Sequence, residues 1–444
     1  MPPVLPDSLA RLLSLLRGPF TAPSFDTFCW LVCGFIGRIG EHTITGIWQA
    51  ARLAGVFHHS RAHDFFARRS WSADELGVAL ARVIVARFVG ADQPIRVAID
   101  DTLFPRSGPK VFGADWLFDP EAKVGARVRR GNTFVCLGIV VRSKLLGGRV
   151  ICLPVLFRLW RPGGEAEVPR SRPELAQDLV AVLSERFPER RIEMLADAYY
   201  ANRRLASLPQ NASAVVRLRK NAALYELPPE PTPGRIGRPR KRGQRIGSPA
   251  EILADPKTRW RPLTIRGCGG IEERVEASAL ACLWYPALGQ RPVRVVICRD
   301  PERPERPALF ALATDPTLAA AEILSRILQR WSIEVAFQEA KGTLGVGEAR
   351  NRVARAVERT VPFGFLCQSI TVCWYLANGD ARGDVARRRI EAPWYRQKRL
   401  PSLADMLVAI RRELISAEFS PTMGSKPAAA ETKRLGLAPL RPVA

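Results

Sequence analysis

Hydrophobic and polar residues near the start of the chain alternate with a helical period. Apolar residues recur at helical spacing over residues 9–16 and again over residues 73–88. Ser72, followed by Glu75, has the pattern of a helix N-cap with a capping box. We therefore predict a helical N-terminal domain over residues 1–92.

Beyond this domain the pattern changes to short apolar runs that are typical of strands. Strand-like runs lie at 95–99, 133–142, 149–160, 191–196 and 214–218, and helical patterns lie at 173–186 and 199–208. Gly147 and Gly148 separate the second and third runs, which predicts a hairpin. The order strand, hairpin, helix, strand, helix, strand is that of a ribonuclease H-like α/β core. We assign the first part of this core to residues 93–221.

The order of elements breaks down after Asn221. Residues 228–249 are rich in proline, glycine and basic residues. Strand-like runs then lie at 262–267, 277–285, 292–299 and 308–313, and a long helical pattern covers 317–342. We predict that residues 222–306 form a β-rich insertion that folds on the core without continuing it. The second part of the core follows at residues 307–360.

The C-terminal part returns to helical patterns. An apolar pattern covers residues 361–377, and an amphipathic one covers residues 403–415. We predict a helical region over 361–420 and a disordered tail over 421–444. The expected fold class is therefore α/β, with an interrupted ribonuclease H-like core between helical N-terminal and C-terminal regions.

The charge balance points to a polyanionic partner. The chain has 67 Lys+Arg against 43 Asp+Glu, a net charge of +24, and nucleic acid is the commonest polyanion for such a protein. A membrane partner is disfavoured, because the longest candidate apolar run, Cys29–Ile36, is too short to span a bilayer. Arg11 and Arg17 interrupt the apolar positions that a signal peptide would need. We expect a cytoplasmic protein.

Cysteine and histidine offer little chemistry. The nine cysteines are scattered through a long chain, which is not the pattern of a disulfide framework. Cys29 and Cys33 lie one helical turn apart, but no second close pair of soft ligands follows at a spacing that suits zinc. With four histidines in all, acidic residues are the best candidates for catalysis.

Three acids lie where they could share divalent metal ions. Asp100 and Asp197 follow the first and fourth core strands, whose ends are neighbours in a ribonuclease H-like sheet. Arg330, Glu334 and Lys341 share one face of the long helical pattern. Carboxylate oxygens suit Mg²⁺, and two such ions can catalyse phosphoryl transfer. We predict that the three acids are catalytic metal ligands and that the two cations hold DNA phosphates.

The segments VAIDDT, MLADAYYANRRL and RWSIEVAFQEAKGTLGVGEARNR carry these acids. They resemble the three acidic motifs of bacterial insertion-sequence transposases of the DDE class. The resemblance is to the branch with a β-rich insertion between the second and third motifs, and it covers residues 95–360. Where that branch has a tyrosine in its third motif, this chain has Ile327.

The resemblance implies a transposase that binds the terminal inverted repeats of its own mobile element. Such an enzyme cleaves DNA and transfers strands in transposition, a form of DNA recombination. It implies two Mg²⁺ ions, with Mn²⁺ able to substitute, and no small-molecule cofactor. Because two element ends must be synapsed, it implies a homodimer on double-stranded DNA, both element ends and target. The N-terminal helices would contribute to end recognition, and the protein would be associated with the bacterial nucleoid.

Two of the acids have neighbours that could replace them. Asp101 follows Asp100, but the first motif of the resembled family reads acid, any residue, threonine, which selects Asp100 with Thr102. Glu339 is the alternative to Glu334, but it lies off the helical face that carries the two cations. The alternative interpretation of Arg330 and Glu334 is an ordinary surface ion pair one helical turn apart.

Further DNA contacts are expected outside the metal site. The basic segment 234–245 either inserts arginines into a narrow minor groove or contacts phosphates as a flexible loop. Its candidate residues are Arg238, Arg240, Lys241 and Arg242. Phe310 occupies a position where the resembled branch carries an aromatic residue that receives a flipped base. Its alternative role is plain core packing.

Two other functions remain open from the sequence. One is a domesticated DNA-binding protein that keeps the fold but has lost catalysis, which would require the loss of at least one acid. The other is a structure-selective nuclease on the same fold, against which the motif from Arg330 to Lys341 speaks.

Overall fold

The computed structural model describes residues 5–118, 127–163, 169–229, 239–270 and 272–419. The helices are α1 Asp7–Ser14, α2 Ala22–Gly37, α3 Ile44–Ala50, α4 Ser60–Ala67, α5 Ala73–Phe88, α6 Arg172–Arg186, α7 Pro249–Ala254, α8 Tyr285–Leu288, α9 Ala320–Arg330, α10 Ser332–Leu344, α11 Ala354–Asn378, α12 Ala381–Glu391 and α13 Leu403–Phe419. The strands are β1 Ile95–Pro105, β2 Asp115–Phe118, β3 Val128–Ser143, β4 Arg149–Trp160, β5 Ile192–Ala196, β6 Ala212–Arg217, β7 Leu224–Tyr225, β8 Arg245–Gly247, β9 Arg261–Arg266, β10 Glu272–Leu283, β11 Pro292–Arg299 and β12 Leu309–Ala313. The expected tail at 421–444 lies outside the described residues.

The strands β1, β3, β4, β5 and β6 have the arrangement that the sequence predicts for the core. β3 pairs antiparallel with β1 on one edge and with β4 on the other. β1, β5 and β6 are parallel neighbours. The predicted hairpin is present, and both glycines in its turn have positive φ, 61° at Gly147 and 82° at Gly148. The carboxyl ends of β1 and β5 therefore meet at one edge of the sheet.

The segment at 222–306 is rich in β-strands, but its strands continue the core sheet. β12 pairs antiparallel with β6 on one side and with β11 on the other. β10 pairs with β11, β9 and β7 in turn, so that all twelve strands belong to one sheet. The expectation of an insertion that does not continue the core is therefore corrected. The reason is that β12, which follows the insertion in sequence, hydrogen-bonds to both parts.

Two of the predicted helices differ from the helices in the structure. The helical pattern at 317–342 forms two helices, α9 and α10, separated by Trp331. The Trp331 amide donates to the Leu328 carbonyl at 3.2 Å, a tighter turn than that of an α-helix. The pattern at 199–208 forms only a 3₁₀ helix over Arg203–Ser207, which the Asn202 side chain caps. The long pattern is therefore helical with a break next to the third acidic motif, whereas the pattern at 199–208 does not form an α-helix.

Helix α11 lies in the interior and contacts β4, α4, α5 and α13. Within the described residues it is the one helix long and apolar enough to cross a membrane, and 89% of its most apolar window is buried inside the fold. The length of uninterrupted apolar runs does not reveal this helix as a membrane-spanning candidate, because polar residues such as Gln368 and Ser369 divide its sequence. The nine cysteines are free thiols, which confirms that they are not a disulfide framework.

Candidate active site

The two aspartates lie side by side where the parallel pairing of β1 with β5 ends; Asp100 is inside β1, which continues to Pro105, and Asp197 follows β5. Ile99 of β1 and Ala196 of β5 form the last register pair between these strands. Asp100 and Asp197 are the next residues on each, at a strand separation of roughly 5 Å. Asp100 also pairs with Cys136 of β3, so hydrogen bonding on that side continues beyond the end of β5.

Glu334 is joined to Asp100 through Arg330. The Arg330 guanidinium donates from Nη1 to Asp100 Oδ2 at 3.0 Å and from Nη2 to Glu334 Oε1 at 2.6 Å. The Arg330 side chain is only 4% exposed, against 22% for Asp100 and 32% for Glu334. The interpretation of Arg330 and Glu334 as an ordinary surface pair is therefore wrong, since the guanidinium is buried and bridges two elements.

The three carboxylates do not converge as a ready-made ligand set. Asp197 Oδ1 accepts a hydrogen bond from the Tyr199 amide at 2.7 Å. Among the described residues, no three His, Cys, Asp or Glu side chains are grouped as they would be around a metal ion. Close carboxylates repel unless a cation lies between them, and Arg330 supplies that charge for two of the three.

The donor chemistry nevertheless fits a hard divalent ion. The three side chains offer carboxylate oxygens, which Mg²⁺ and Mn²⁺ prefer. The pKa of Asp100 is raised to about 7: burial is the largest cause, Arg330 opposes the rise, and the neighbouring Asp101 adds to it. Near neutral pH this carboxyl group is therefore about half ionised, and a bound cation would favour its ionised form.

Asp101 has partners that differ from those of Asp100. Its Oδ2 accepts from Arg172 Nη1 at 2.6 Å, and its Oδ1 accepts from the Tyr200 hydroxyl at 2.9 Å. Adjacent residues on a strand face opposite sides, and Asp100 is the one that shares Arg330 with Glu334. This geometry favours Asp100 as the first acid.

Glu339 lies away from the two aspartates. It lines a separate cavity of about 200 Å³ together with Arg149, Cys268 and Gln368. Burial raises the pKa of Glu339, and Arg149 opposes the rise. This placement favours Glu334 as the third acid.

The helices that carry the third motif are anchored by a buried ion-pair network. Arg326 of α9 approaches Glu193 of β5 at 2.7 Å between Nε and Oε2, and Arg96 of β1 reaches the same oxygen at 3.1 Å. Ile327, at the position where the resembled branch has a tyrosine, is buried with 4% exposure. Its side chain packs in the core and has no hydroxyl to offer a phosphate.

The remaining predicted residues lie in different places. Lys341 of α10 lies with its ammonium 5.5 Å from the Phe104 ring, beside Asp101. Phe310 is half-buried on β12, where its carbonyl accepts from the Leu218 amide at 2.8 Å. Phe310 thus lies at the same sheet edge as Asp197, two strands away.

The described part of the basic segment lies far from the acids. Arg240 and Lys241 are exposed. Arg242 is stacked on two tyrosines, 4.3 Å from the Tyr225 ring and 4.9 Å from the Tyr285 ring. Arg238 lies outside the described residues. In the sheet order, β7 is six strands from β1, which places this segment about 30 Å from Asp100 at the usual strand spacing.

A family comparison agrees with this arrangement. Residues 27–270, more than half of the chain, match the model of the DDE superfamily endonucleases. The chain belongs to this family. Membership implies a ribonuclease H-like fold and a phosphoryl-transfer nuclease that acts on DNA, in a family whose enzymes typically use divalent metals. The chain matches no curated protein.

The family match ends before the third acid. It contains Asp100 and Asp197 but not Glu334. The assignment of Glu334 in this DDE endonuclease therefore depends on the motif from Arg330 to Lys341 and on the ion pairs that join it to Asp100.

Sequence reasoning missed several residues around the site. Arg172 and Tyr200 hold Asp101, and Trp116 and Phe118 of β2 lie exposed nearby. The signal available in the sequence was the pair of large aromatics at 116 and 118, whose spacing places them on one face of a strand.

Proposed function

We propose that this DDE endonuclease is a transposase. It binds the terminal inverted repeats of a mobile element and catalyses metal-dependent cleavage and strand transfer of DNA. The observation that supports the proposal best is the shared contact of Arg330 with Asp100 and Glu334 beside the strand end that carries Asp197. This contact brings Asp100 and Glu334 together, although 230 or more positions separate them in the sequence.

In this mechanism Asp100, Asp197 and Glu334 would hold Mg²⁺ ions, with Mn²⁺ able to substitute. Bound there, the ions would activate water and then a 3′ hydroxyl, and would stabilise the leaving oxygen. Arg330 would turn from its carboxylates to the scissile phosphate, for which its planar fork of donors is well suited. Lys341 would hold a neighbouring phosphate as a point charge.

The rest of the chain would deliver DNA to this site. The net charge of +24 supplies salt-sensitive affinity for phosphates that is independent of sequence. The helices of residues 1–92 would contribute end recognition, and a homodimer would hold two ends together.

The test compares three variants, Asp100→Asn, Asp197→Asn and Glu334→Gln, with Glu339→Gln as the matched control on the same helix. The DNA is a duplex that carries the inverted repeats flanking the gene, with Mg²⁺ or Mn²⁺. We expect each of the three variants to lose cleavage by at least a thousandfold while binding the duplex normally. The control should cleave at the wild-type rate. A variant that cleaves normally removes its residue from the site.

A catalytically inactive DNA-binding protein is the second candidate. The observation in its favour is that Arg330 lies between Asp100 and Glu334 where a metal ion would be expected. This candidate predicts that the wild-type protein binds end DNA but neither binds Mn²⁺ at these carboxylates nor cleaves. Calorimetric Mn²⁺ titration of wild type and Asp100→Asn separates the two.

A further inference from the structure

A concave surface beside the aspartates has no part in holding the three acids. It encloses about 410 Å³, and its lining includes Asp101, Trp116, Phe118, Trp160, Arg172 and Lys341. We call it the β2 pocket. Its volume falls within the ~300–1,000 Å³ that is usual for sites that take one small organic group.

Strand β2 forms one wall of the β2 pocket and presents aromatic rings to solvent. It pairs with residues 128–131 at the start of β3. Trp116 and Phe118 are two residues apart on the strand, so they face the same side. They are 66% and 64% exposed. Large aromatic side chains left exposed together mark a binding surface more often than a packing remnant.

Other residues that line the pocket combine an aromatic ring with cations. The Arg172 guanidinium lies 4.6 Å from the Trp160 ring and 4.9 Å from the Tyr199 ring, while it pairs with Asp101. Lys341, from the helix of the third acid, also lines the pocket. The pocket therefore offers flat apolar faces and positive charge in one small space.

This combination fits a nucleotide. A base stacks on an aromatic face, and its phosphate is attracted to neighbouring cations. A base inside a duplex has both faces covered by its neighbours, so a pocket of this size can take a base only when it has left the stack. The lining of the pocket includes Asp101, the residue next to Asp100, so a base bound there would lie close to the acids that are proposed to act on the scissile phosphate.

We propose that the β2 pocket binds one unstacked nucleobase of the DNA strand that is cut. The proposal rests on the proposed action on DNA. It is separate from the role considered for Phe310, because β2 and β12 lie on opposite sides of β1 and β5 in the sheet. Holding a base out of the stack would free the backbone at the adjacent phosphate for in-line attack.

The test measures binding of a single-stranded DNA 12-mer and of the corresponding duplex, in EDTA so that no cleavage occurs. The variants are Trp116→Ala and Phe118→Ala, with Trp116→Phe as the conservative change. The matched control is Trp394→Ala, which removes a tryptophan that is 75% exposed in the C-terminal region. Circular dichroism and size-exclusion chromatography check the fold and the oligomeric state.

We expect Trp116→Ala to lower the affinity for the single strand about tenfold, as the loss of one base stack would do. Its affinity for the duplex should change less than twofold, and Trp116→Phe should retain most of the binding. The slope of affinity against salt should stay the same, because the indole carries no charge. Trp394→Ala should leave the ratio of the two affinities unchanged.

Three results would overturn the proposal. Wild-type affinity for the single strand in both alanine variants would show that the pocket takes no base. Equal losses on both DNA forms would show a general contact with duplex. A change of oligomeric state in the β2 variants would show that β2 is an interface between two copies.

The failure of this proposal is distinguishable from failure of the proposed function. If Trp116→Ala weakens single-strand binding but the wild-type protein never cleaves, the base-binding pocket stands and the transposase proposal fails. If the protein cleaves inverted-repeat DNA but Trp116→Ala binds the single strand normally, the transposase proposal stands and the pocket proposal fails.

Discussion

Arg330 is the residue whose environment explains most about the site. It is almost fully buried and donates to two carboxylates, one on β1 and one on α10. One guanidinium beside Asp100 and Glu334 leaves a local excess of negative charge whenever both acids are ionised. Such a cluster attracts further cations, which is what a metal-dependent nuclease needs.

Replacing Arg330 with Gln should therefore destabilise the metal-free protein and increase its response to metal. Removing one partner from a fully buried ion pair costs ~3–5 kcal/mol. Because Glu334 is 32% exposed, we expect a smaller loss of unfolding free energy, about 2 kcal/mol. Thermal denaturation in EDTA and in MnCl₂ measures both effects.

The matched control for this change is Arg350→Gln, which removes an exposed ion pair with Glu41. It should alter the melting temperature little in either buffer, since exposed pairs contribute ~0–1 kcal/mol. Equal Mn²⁺ stabilisation of wild type and Arg330→Gln would show that Arg330 and the metal do not compete for the carboxylates.

Asp100 should make metal binding depend on pH near neutrality. Its pKa is raised to about 7, chiefly by burial, and a metal ion binds the carboxylate but not the acid. At pH 6 about one tenth of the groups are ionised and at pH 8 about nine tenths, so the Mn²⁺ affinity should rise about tenfold between them. Calorimetry in two buffers of different ionisation enthalpy should also detect the released proton.

The same shift has a defined sign for stability. The folded protein retains a proton on Asp100 at pH values where the unfolded chain has released it, so the unfolding free energy falls as pH rises from about 4 to about 7. Asp100→Asn should remove this part of the pH dependence. A pH-stability profile identical to that of the wild type would assign the shift to another group.

At the scale of secondary structure, most elements follow from local patterns. The capping box at Ser171 and Glu174 and the proline at position 173 fix the start of α6. The glycine pair fixes the β3–β4 hairpin. The turn at Trp331 did not follow from the pattern, because Trp331 itself keeps right-handed helical dihedrals, with φ −55° and ψ −19°. The two helices pack against different strands, α9 against β9 and β12 and α10 against β4 and β1.

Close packing of α5 on β4 predicts opposite effects for two helical glycines. A Cβ atom added to Gly77 would lie 1.9 Å from the backbone oxygen of Val155, whereas one added to Gly342 of α10 would have no neighbour within 4 Å. Gly77→Ala should therefore lower the unfolding free energy by about 2–3 kcal/mol.

Gly342→Ala is the matched change and should raise the unfolding free energy by about 0.5 kcal/mol, because alanine favours a helix over glycine. Urea denaturation of both variants measures the two effects. A neutral Gly77→Ala would mean that α5 can shift away from β4 without loss.

At the scale of the whole molecule, one sheet positions both the two aspartates and the basic segment, whose described part lies between β7 and β8. About 30 Å of sheet separates Asp100 from Arg242, at the usual strand spacing. This distance equals roughly nine base pairs of DNA at 3.4 Å each. Tyr225 pairs with Leu283 at a level that the register carries to the amino end of β5, whereas Asp197 follows its carboxyl end. The basic segment and the aspartates therefore lie toward opposite edges of the sheet.

Substituting both Arg240 and Lys241 with Ala tests how the basic segment contacts DNA. Loss of two phosphate contacts should lower the slope of log affinity against log salt by about 1.8. Equal losses on random DNA and on an A·T tract would identify a flexible phosphate contact. A larger loss on the A·T tract would identify insertion into a narrow minor groove.

The control for this measurement is Arg350→Gln, which changes a charge elsewhere on the surface. An unchanged salt slope in the double variant would remove the segment from the DNA interface. Fluorescence anisotropy over a salt series provides both slopes.

The sequence alone predicted the candidate acids and determined most of the elements around them. Strand periodicity ends at Asp100 and Asp197, and helical spacing places Arg330, Glu334 and Lys341 on one face, because these features depend on residues a few positions apart. No local pattern in the sequence specifies which distant strands and helices contact each other. An edge strand offers the same hydrogen bonds to any partner, so only the tertiary structure decided that β12 joins the insertion to the core. It also decided that Arg330 bridges two acids and that β2 presents Trp116 beside them, since each depends on contacts between residues far apart in the chain.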